Sequence, residues 1–175
     1  MSAHISADQL SREILERGEE GYNQVIAHFG DEVLSSGAID RQKLAEIVFN
    51  DSAKRESLEK ITHPLIDQRF KEIRKSLPEN TVLVYEIPLL AENSKRAIEF
   101  DLILSIETAE ETRFQRLTER GLHPHQIRGR MAAQSSDEER KALAHHVIEN
   151  NGDREALLSS LEQWWAEFIA PKLLN

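Results

Sequence analysis

Cysteine is absent from all 175 residues, which rules out a disulfide framework, a thiolate metal site and a cysteine nucleophile together. The seven histidines are the only soft ligands left. Long apolar runs are missing too: none approaches the roughly 18 residues of a membrane span. Polar Ser2 and His4 stand where a secretory leader would be basic and then apolar, so a cytoplasmic protein with no membrane partner is expected. Positive charge is in deficit. A net charge of -9 repels polyanions at long range and argues against nucleic acid as a partner. No repeat, low-complexity tract or Pro/Gly-rich linker divides the chain, which reads as one continuous domain over residues 1–175.

What is present begins with a hydrophobic fraction of 39%, enough for one domain with a core. Asp40 is placed to cap a helix whose Leu44, Ile47 and Val48 follow i, i+3, i+4 spacing. Pro64 is placed to open another that buries Ile66, Phe70, Ile73 and Leu77 before Pro78 stops it. At Thr81 the pattern changes: residues 81–87 are β-branched and apolar on both faces, as in a buried parallel strand. Leu102–Ile106 is a second such run, and Val147-Ile148 a short third. Thr108 with Glu111, and Ser136 with Glu139, are capping-box patterns opening two helices. The last helix carries Leu157, Leu161, Trp164 and Phe168 on one stripe, with one tryptophan expected in the core, and ends at Pro171. Strands alternating with helices predict an α/β fold with a parallel sheet. The helical block over residues 12–77 is predicted as an insert, with residues 81–107 and 144–175 as the core.

Charge is unevenly spread. Arg113 to Lys141 holds seven Arg or Lys against four Asp or Glu, a local balance of +3 in an acidic chain. Such an island suits a phosphorylated small molecule; a solvated helical surface of mixed charge is the alternative. Asp8 stands where a short apolar strand ends and a helix begins, the edge at which open α/β sheets bind ligands, so it is a candidate general base or metal ligand. A helix cap, or an i, i+4 pair with Arg12, would equally account for it. For Arg113 and Arg116, spaced i, i+3, plain solvent-facing charge is expected. His123 and His125 flank Pro124 at a helix start, and His145-His146 precede a strand. Neither pair has a third ligand nearby in sequence, which favours surface or capping roles over metal binding. His63 differs, because Pro64 would fix it at a helix N-terminus where a substrate phosphate could also sit.

From Ile5 onward the sequence resembles the dephospho-coenzyme A kinases. Their second strand and next helix are matched by Ile5-Ser6-Ala7-Asp8 and Ser11-Arg12, with Ser6 in place of the family's first acid. Their later landmarks are similar to Phe29-Gly30, Ile39-Asp40-Arg41, His63-Pro64-Leu65, and the run Val84-Tyr85-Glu86-Ile87-Pro88-Leu89-Leu90-Ala91-Glu92-Asn93. The lid pattern is matched by Arg120, Arg130 and Ala132-Ala133-Gln134, and the closing pattern by Val147-Ile148-Glu149-Asn150-Asn151-Gly152. Ordered landmarks over about 150 residues carry far more weight than any single motif.

The resemblance implies a P-loop-kinase-like three-layer parallel sheet with a helical acceptor-binding insert and a helical lid over residues 113–141. It implies ATP-dependent phosphorylation of the 3′-hydroxyl of dephospho-coenzyme A, the last step of coenzyme A biosynthesis, with Mg2+ as activator. Asp8, the match to the family's second acid, takes the role of base, with Arg120 and Arg130 as catalytic arginines. Asp8, Arg12, His63, Pro88, Leu89 and Glu92 are implied on the acceptor, and Arg120, Asn150 and Gly152 on the nucleotide. A non-catalytic binding or regulatory homologue, or a kinase for another nucleotide-like acceptor, are the alternatives. The family's first strand and its loop ending in Gly-Lys-Ser/Thr, whose amides and lysine hold the ATP phosphates while the hydroxyl holds magnesium, have no match in the 175 residues. The expectation is therefore that about 25 residues precede this sequence in a working enzyme, and that the 175 residues alone do not turn over ATP.

Overall fold

The computed structural model describes residues 1–91 and 99–173. The chain divides into two compact units, Met1–Ile87 and Pro88–Asn175. Both have the expected α/β character.

In the first unit β1 (Ser2–Ser6) pairs in parallel with β4 (Val82–Glu86), from Ser2 opposite Val82 to Ser6 opposite Glu86. Between them in sequence lie α1 (Ala7–Glu13), α2 (Glu20–Phe29), the hairpin β2 (Leu34–Ser35) and β3 (Ala38–Ile39), α3 (Arg41–Phe49) and α4 (Ser52–Ser76). The hairpin interrupts the expected helical block. Its Ser36-Gly37 turn takes positive φ at both residues, 51° and 76°, the conformation whose twist suits a two-residue hairpin. The Tyr22 hydroxyl donates to the Gly37 carbonyl at 2.7 Å and ties the turn to α2.

Asp40 caps α3 as its sequence position implies, accepting from the Gln42 and Lys43 amides at 3.0 and 3.2 Å. Leu44 then joins Val25, Phe29 and Val33 in the core, with Ile47 and Val48 packed against them. Pro64 does not open a helix. Asp51 caps α4 thirteen residues earlier, accepting from the Ala53 and Lys54 amides, and the helix runs through Pro64. A proline there removes one backbone bond, to the Lys60 carbonyl. Burial of Thr62, Ile66 and Phe70 on the same helix and stacking of Phe70 on Tyr85 of β4 at 4.4 Å outweigh that loss.

Gly21 opens the close approach of α2 to the turn before it. A Cβ at this position would lie 2.4 Å from the Ile14 carbonyl oxygen and 3.2 Å from Leu65. Because the first obstacle is backbone, Gly21→Ala is expected to destabilise the chain by about 1–3 kcal/mol, read as a lowered urea midpoint; an unchanged midpoint would refute this packing account.

The second unit pairs β5 (Leu104–Glu107) in parallel with β6 (His146–Glu149). α5 (Glu110–Glu119), α6 (Pro124–Ala132) and α7 (Asp137–Leu143) lie between them in sequence, and α8 (Arg154–Phe168) follows. The β5 ladder starts two residues later than its apolar run, because the Ile103 amide donates to His145 Nδ1 at 3.0 Å. Ser136 and Glu139 form the expected capping box. Thr108 and Glu111 do not: the first residue before α5 is Ala109, and the Thr108 hydroxyl instead donates to the Asn150 carbonyl at 3.3 Å. Neither tryptophan is fully buried. The ring packing on β6 is made by Phe168, 3.9 Å from His146, with Trp164 beside it.

The strands are not covered on both faces as their composition predicts. Ile5 and Ile148 are buried, whereas Val84, Ile106 and Val147 are 41%, 43% and 40% exposed. Each parallel sheet among the described residues has two strands, so within its unit each strand has one neighbour. No helix among the described residues is long and apolar enough to cross a membrane.

Candidate active site

Backbone direction places the first candidate. β1 ends at Ser6 and α1 begins at Ala7, so Asp8 follows the carboxyl end of a parallel strand, where α/β folds bind ligands. Its carboxylate is exposed and makes no cap hydrogen bond. Nor does it pair with Arg12, and the Arg12 guanidinium has no partner among the described residues. Neither structural alternative for Asp8 is realised.

Both side chains line a cleft of about 310 Å3, with Ser11, Leu15, Arg41, Leu44, Ala45, Val48 and Leu58. The floor is apolar, made by residues packed on the core of α2 and α3. The rim holds one carboxylate and two guanidinium groups. Such a site offers a proton acceptor, an anion clamp and a surface for an apolar ring or chain. Sequence reasoning found Asp8 and Arg12 but gave Arg41 only as part of a landmark. A cation at the first position of a helix, beside its cap, was the signal available.

His63 lies elsewhere. It stands in the middle of α4, not at a helix N-terminus, so the argument that amides there would share a phosphate with it fails. It lines a separate groove of about 560 Å3 on α4 with Pro64, Asp67, Gln68, Lys71, Glu72 and Lys75. Pro88 and Leu89 begin the second unit, both exposed. Glu92 lies outside the described residues.

In the second unit the arginines separate into two sets. Arg113 and Arg116 are not the plain surface charges that their spacing predicts. Arg113 pairs with Asp137 at 2.8 Å. Arg116 donates to the Asn150 and Gly152 carbonyls at 2.8 and 2.7 Å and so holds the turn after β6. The Asn150 amide donates to the Glu107 carbonyl at 2.7 Å, and Asn151 Oδ1 accepts the Ala109 amide at 2.7 Å. Asn150 and Gly152 thus have their backbone groups engaged in fixing this turn. By contrast Arg120, at the end of α5, and Arg128 and Arg130, on α6, are exposed and their guanidinium groups have no partner among the described residues.

An ion network centred on the buried Glu107, not anticipated from sequence, supports these elements. Glu107 at the end of β5 is only 3% exposed. It accepts from Arg140 Nε and Nη2 at 3.0 and 2.7 Å and from the Ser105 hydroxyl at 2.6 Å. Arg140 also binds Asp137 and the Ser135 carbonyl. Burial alone would raise the Glu107 carboxyl, but the Arg140 and Ser105 hydrogen bonds and the Arg140 charge outweigh it and hold the group below the usual carboxylate range. Asp137 is likewise lowered: burial opposes ionisation, while its bonds to Arg140 and Arg113 prevail. An acid closing an apolar strand run was the one sequence signal for this network.

No group of three or more His, Asp or Glu among the described residues could hold a metal ion. Asp8 is a lone exposed carboxylate at its cleft, so the described residues do not fit a resident magnesium site.

Comparison with known proteins identifies the family. The family model described as CoaE, Dephospho-CoA kinase, matches residues 2–155. A dephospho-CoA kinase of Thermobifida fusca is 38% identical over 165 residues, covering 93% of this chain and 82% of that protein. One from Streptomyces avermitilis is 36% identical over 167 residues, covering 94% and 81%. One from Mycolicibacterium paratuberculosis is 38% identical over 169 residues, of which the chain spans 41%. Among solved structures, TT1252 from Thermus thermophilus superposes with a TM-score of 0.79 at 28% identity, covering 97% of this chain and 86% of that one. Dephospho-CoA kinase from Campylobacter jejuni gives 0.69 at 27%, covering 94% and 83%. Parallel strand pairs with flanking helices make this an α/β fold, and the family model and relatives place it among the kinases. The chain belongs to the dephospho-CoA kinase family.

Proposed function

We propose that this chain supplies the acceptor side and the lid of an enzyme that phosphorylates the 3′-hydroxyl of dephospho-CoA with ATP. One observation carries the reading: in a chain matched by the family over residues 2–155, one cleft gathers the unpartnered Asp8 with Arg12 over an apolar floor. Phosphoryl transfer asks the protein for positioning and charge neutralisation more than for covalent chemistry. Asp8 accepts the proton of the ribose hydroxyl at its carboxylate oxygen. Arg12 holds the acceptor. Pro88 and Leu89 are assigned to the acceptor by resemblance, and Asn150 and Gly152 to the nucleotide on the same ground. Arg120 and Arg130, already without partners, need break no ion pair to bind phosphate oxygens. Magnesium enters only as the activator of ATP that the family resemblance implies.

The sequence has no Gly-x-x-x-x-Gly-Lys-Ser/Thr run. The 175 residues alone are therefore expected to form no CoA from dephospho-CoA and ATP. The same chain joined to a strand and loop carrying that pattern is expected to form it. A folded joined protein that leaves dephospho-CoA unconverted, in a chromatographic assay for CoA, would refute the proposal.

A further inference from the structure

We infer that Arg41 is a specificity-determining residue of the acceptor cleft, binding with Arg12 a phosphate group of a nucleotide-type acceptor. This inference rests on the reading of the cleft as the acceptor site. Arg41 is the first residue of α3, a position where the positive end of the helix dipole disfavours a cation. Its side chain is exposed, and its guanidinium has neither hydrogen bond nor ion pair among the described residues. The preceding carboxylate does not answer it: Asp40 Oδ1 accepts the Gln42 and Lys43 amides, and no Asp40–Arg41 ion pair is present among the described residues. Helix stability therefore does not account for an arginine here, and its place on the cleft does.

Charge fixes which end of an acceptor it meets. Asp8 repels an anion and attracts a hydroxyl, so a phosphate entering this cleft settles on the arginine rim, where two guanidinium groups face one carboxylate. A guanidinium fork matches phosphate oxygens in a bidentate way that an ammonium does not. The apolar floor of Leu15, Leu44, Val48 and Leu58 then receives the uncharged portion of the molecule. An acceptor with a hydroxyl but no phosphate loses the clamp and keeps the floor.

The test is calorimetry on the 175-residue chain with dephospho-CoA, and with adenosine as the phosphate-free probe, at two salt concentrations. Arg41→Ala is expected to weaken dephospho-CoA by about 10- to 100-fold, the range of a lost charge-assisted contact, to flatten its salt dependence and to leave adenosine unchanged. Arg41→Lys is expected to recover only part of the loss. Equal dephospho-CoA affinity in Arg41→Ala overturns the inference and leaves the proposed function standing. Equal losses for dephospho-CoA and adenosine overturn it as well, by assigning Arg41 to packing. Absence of any dephospho-CoA binding by the unsubstituted chain also overturns it, whereas the proposed function is decided separately by CoA formation in the joined enzyme. In that enzyme the same variant is expected to raise KM for dephospho-CoA by the same factor and leave kcat within about threefold; an unchanged KM counts against Arg41 even if the isolated chain unfolds on substitution.

Discussion

Asp8→Asn, in the chain joined to a phosphate-binding loop, is expected to lower kcat for CoA formation by about 100-fold or more while leaving KM for ATP within a factor of two. The lower end of the range usual for general acid–base catalysis applies, because a loose phosphoryl-transfer transition state makes late demands on the base. A hundredfold is about 2.7 kcal/mol of barrier. Asparagine keeps the size of the side chain and removes its capacity to take a proton. Little structural is lost with it, since the carboxylate neither caps α1 nor pairs with Arg12, and its place in the first turn of α1 is worth only about 0.3–1 kcal/mol. A thermal midpoint lowered by no more than a few degrees is therefore expected beside the lowered turnover. Unaltered kcat would remove Asp8 from the mechanism, and a fall in stability equal to the fall in rate would assign it a structural task.

The largest effect on stability is expected from Arg140→Met. Removing one partner of a buried pair leaves the other charged and desolvated, at a cost of up to about 3–5 kcal/mol; Glu107 is only 3% exposed, while the Arg140 side chain is 21% exposed, which sets the cost at or below the lower end. Both Glu107 and Asp137 are held below their usual range in the folded chain. A carboxylate lowered on folding contributes stability above its unfolded value, about 4, and that contribution is lost as pH falls through the lower folded value. The unsubstituted chain is therefore expected to weaken below about pH 4. In Arg140→Met the Glu107 carboxyl keeps only the Ser105 hydroxyl against burial, and burial favours its neutral form, so the deficit relative to the unsubstituted chain narrows on acidification. Urea midpoints at pH 7, 5 and 3 read this directly. A deficit of constant size across that range would show that Arg140 acts through packing, without charge.

Several elements were legible because their signals are local. Asp40 and Ser136 cap their helices because a short oxygen-bearing side chain next to free amides has one favourable use, and Val82–Glu86 pairs in parallel with Ser2–Ser6, and Leu104–Glu107 with His146–Glu149, as strands separated by helices do. Thr108 offered the same cap signal and is used otherwise, on a carbonyl 42 residues away. Pro64 offered a start signal that α4 overrides, since the face carrying Thr62, Ile66 and Phe70 is buried and a single lost backbone bond is the lesser cost. At the candidate site, Asp8 and Arg12 were legible from the strand–helix boundary that precedes them. Arg41 was not, because what makes it notable is the lack of a partner, and that depends on everything folded around it.

The sequence by itself determined the family, through the ordered landmarks from Ile5 to Gly152, and with it the alternation of strands and helices. It also determined that no phosphate-binding loop of the Gly-Lys-Ser/Thr type lies within the 175 residues. Only the tertiary structure decided which arginines are committed and which are free. Arg113, Arg116 and Arg140 reach groups 24, 34 and 33 residues away, while Arg12, Arg41, Arg120, Arg128 and Arg130 reach none among the described residues. A guanidinium group sits at the end of a long side chain and binds whatever acceptor the fold brings within about 3 Å. Local spacing cannot register that distance, and so the division between structural and available charge belongs to the fold.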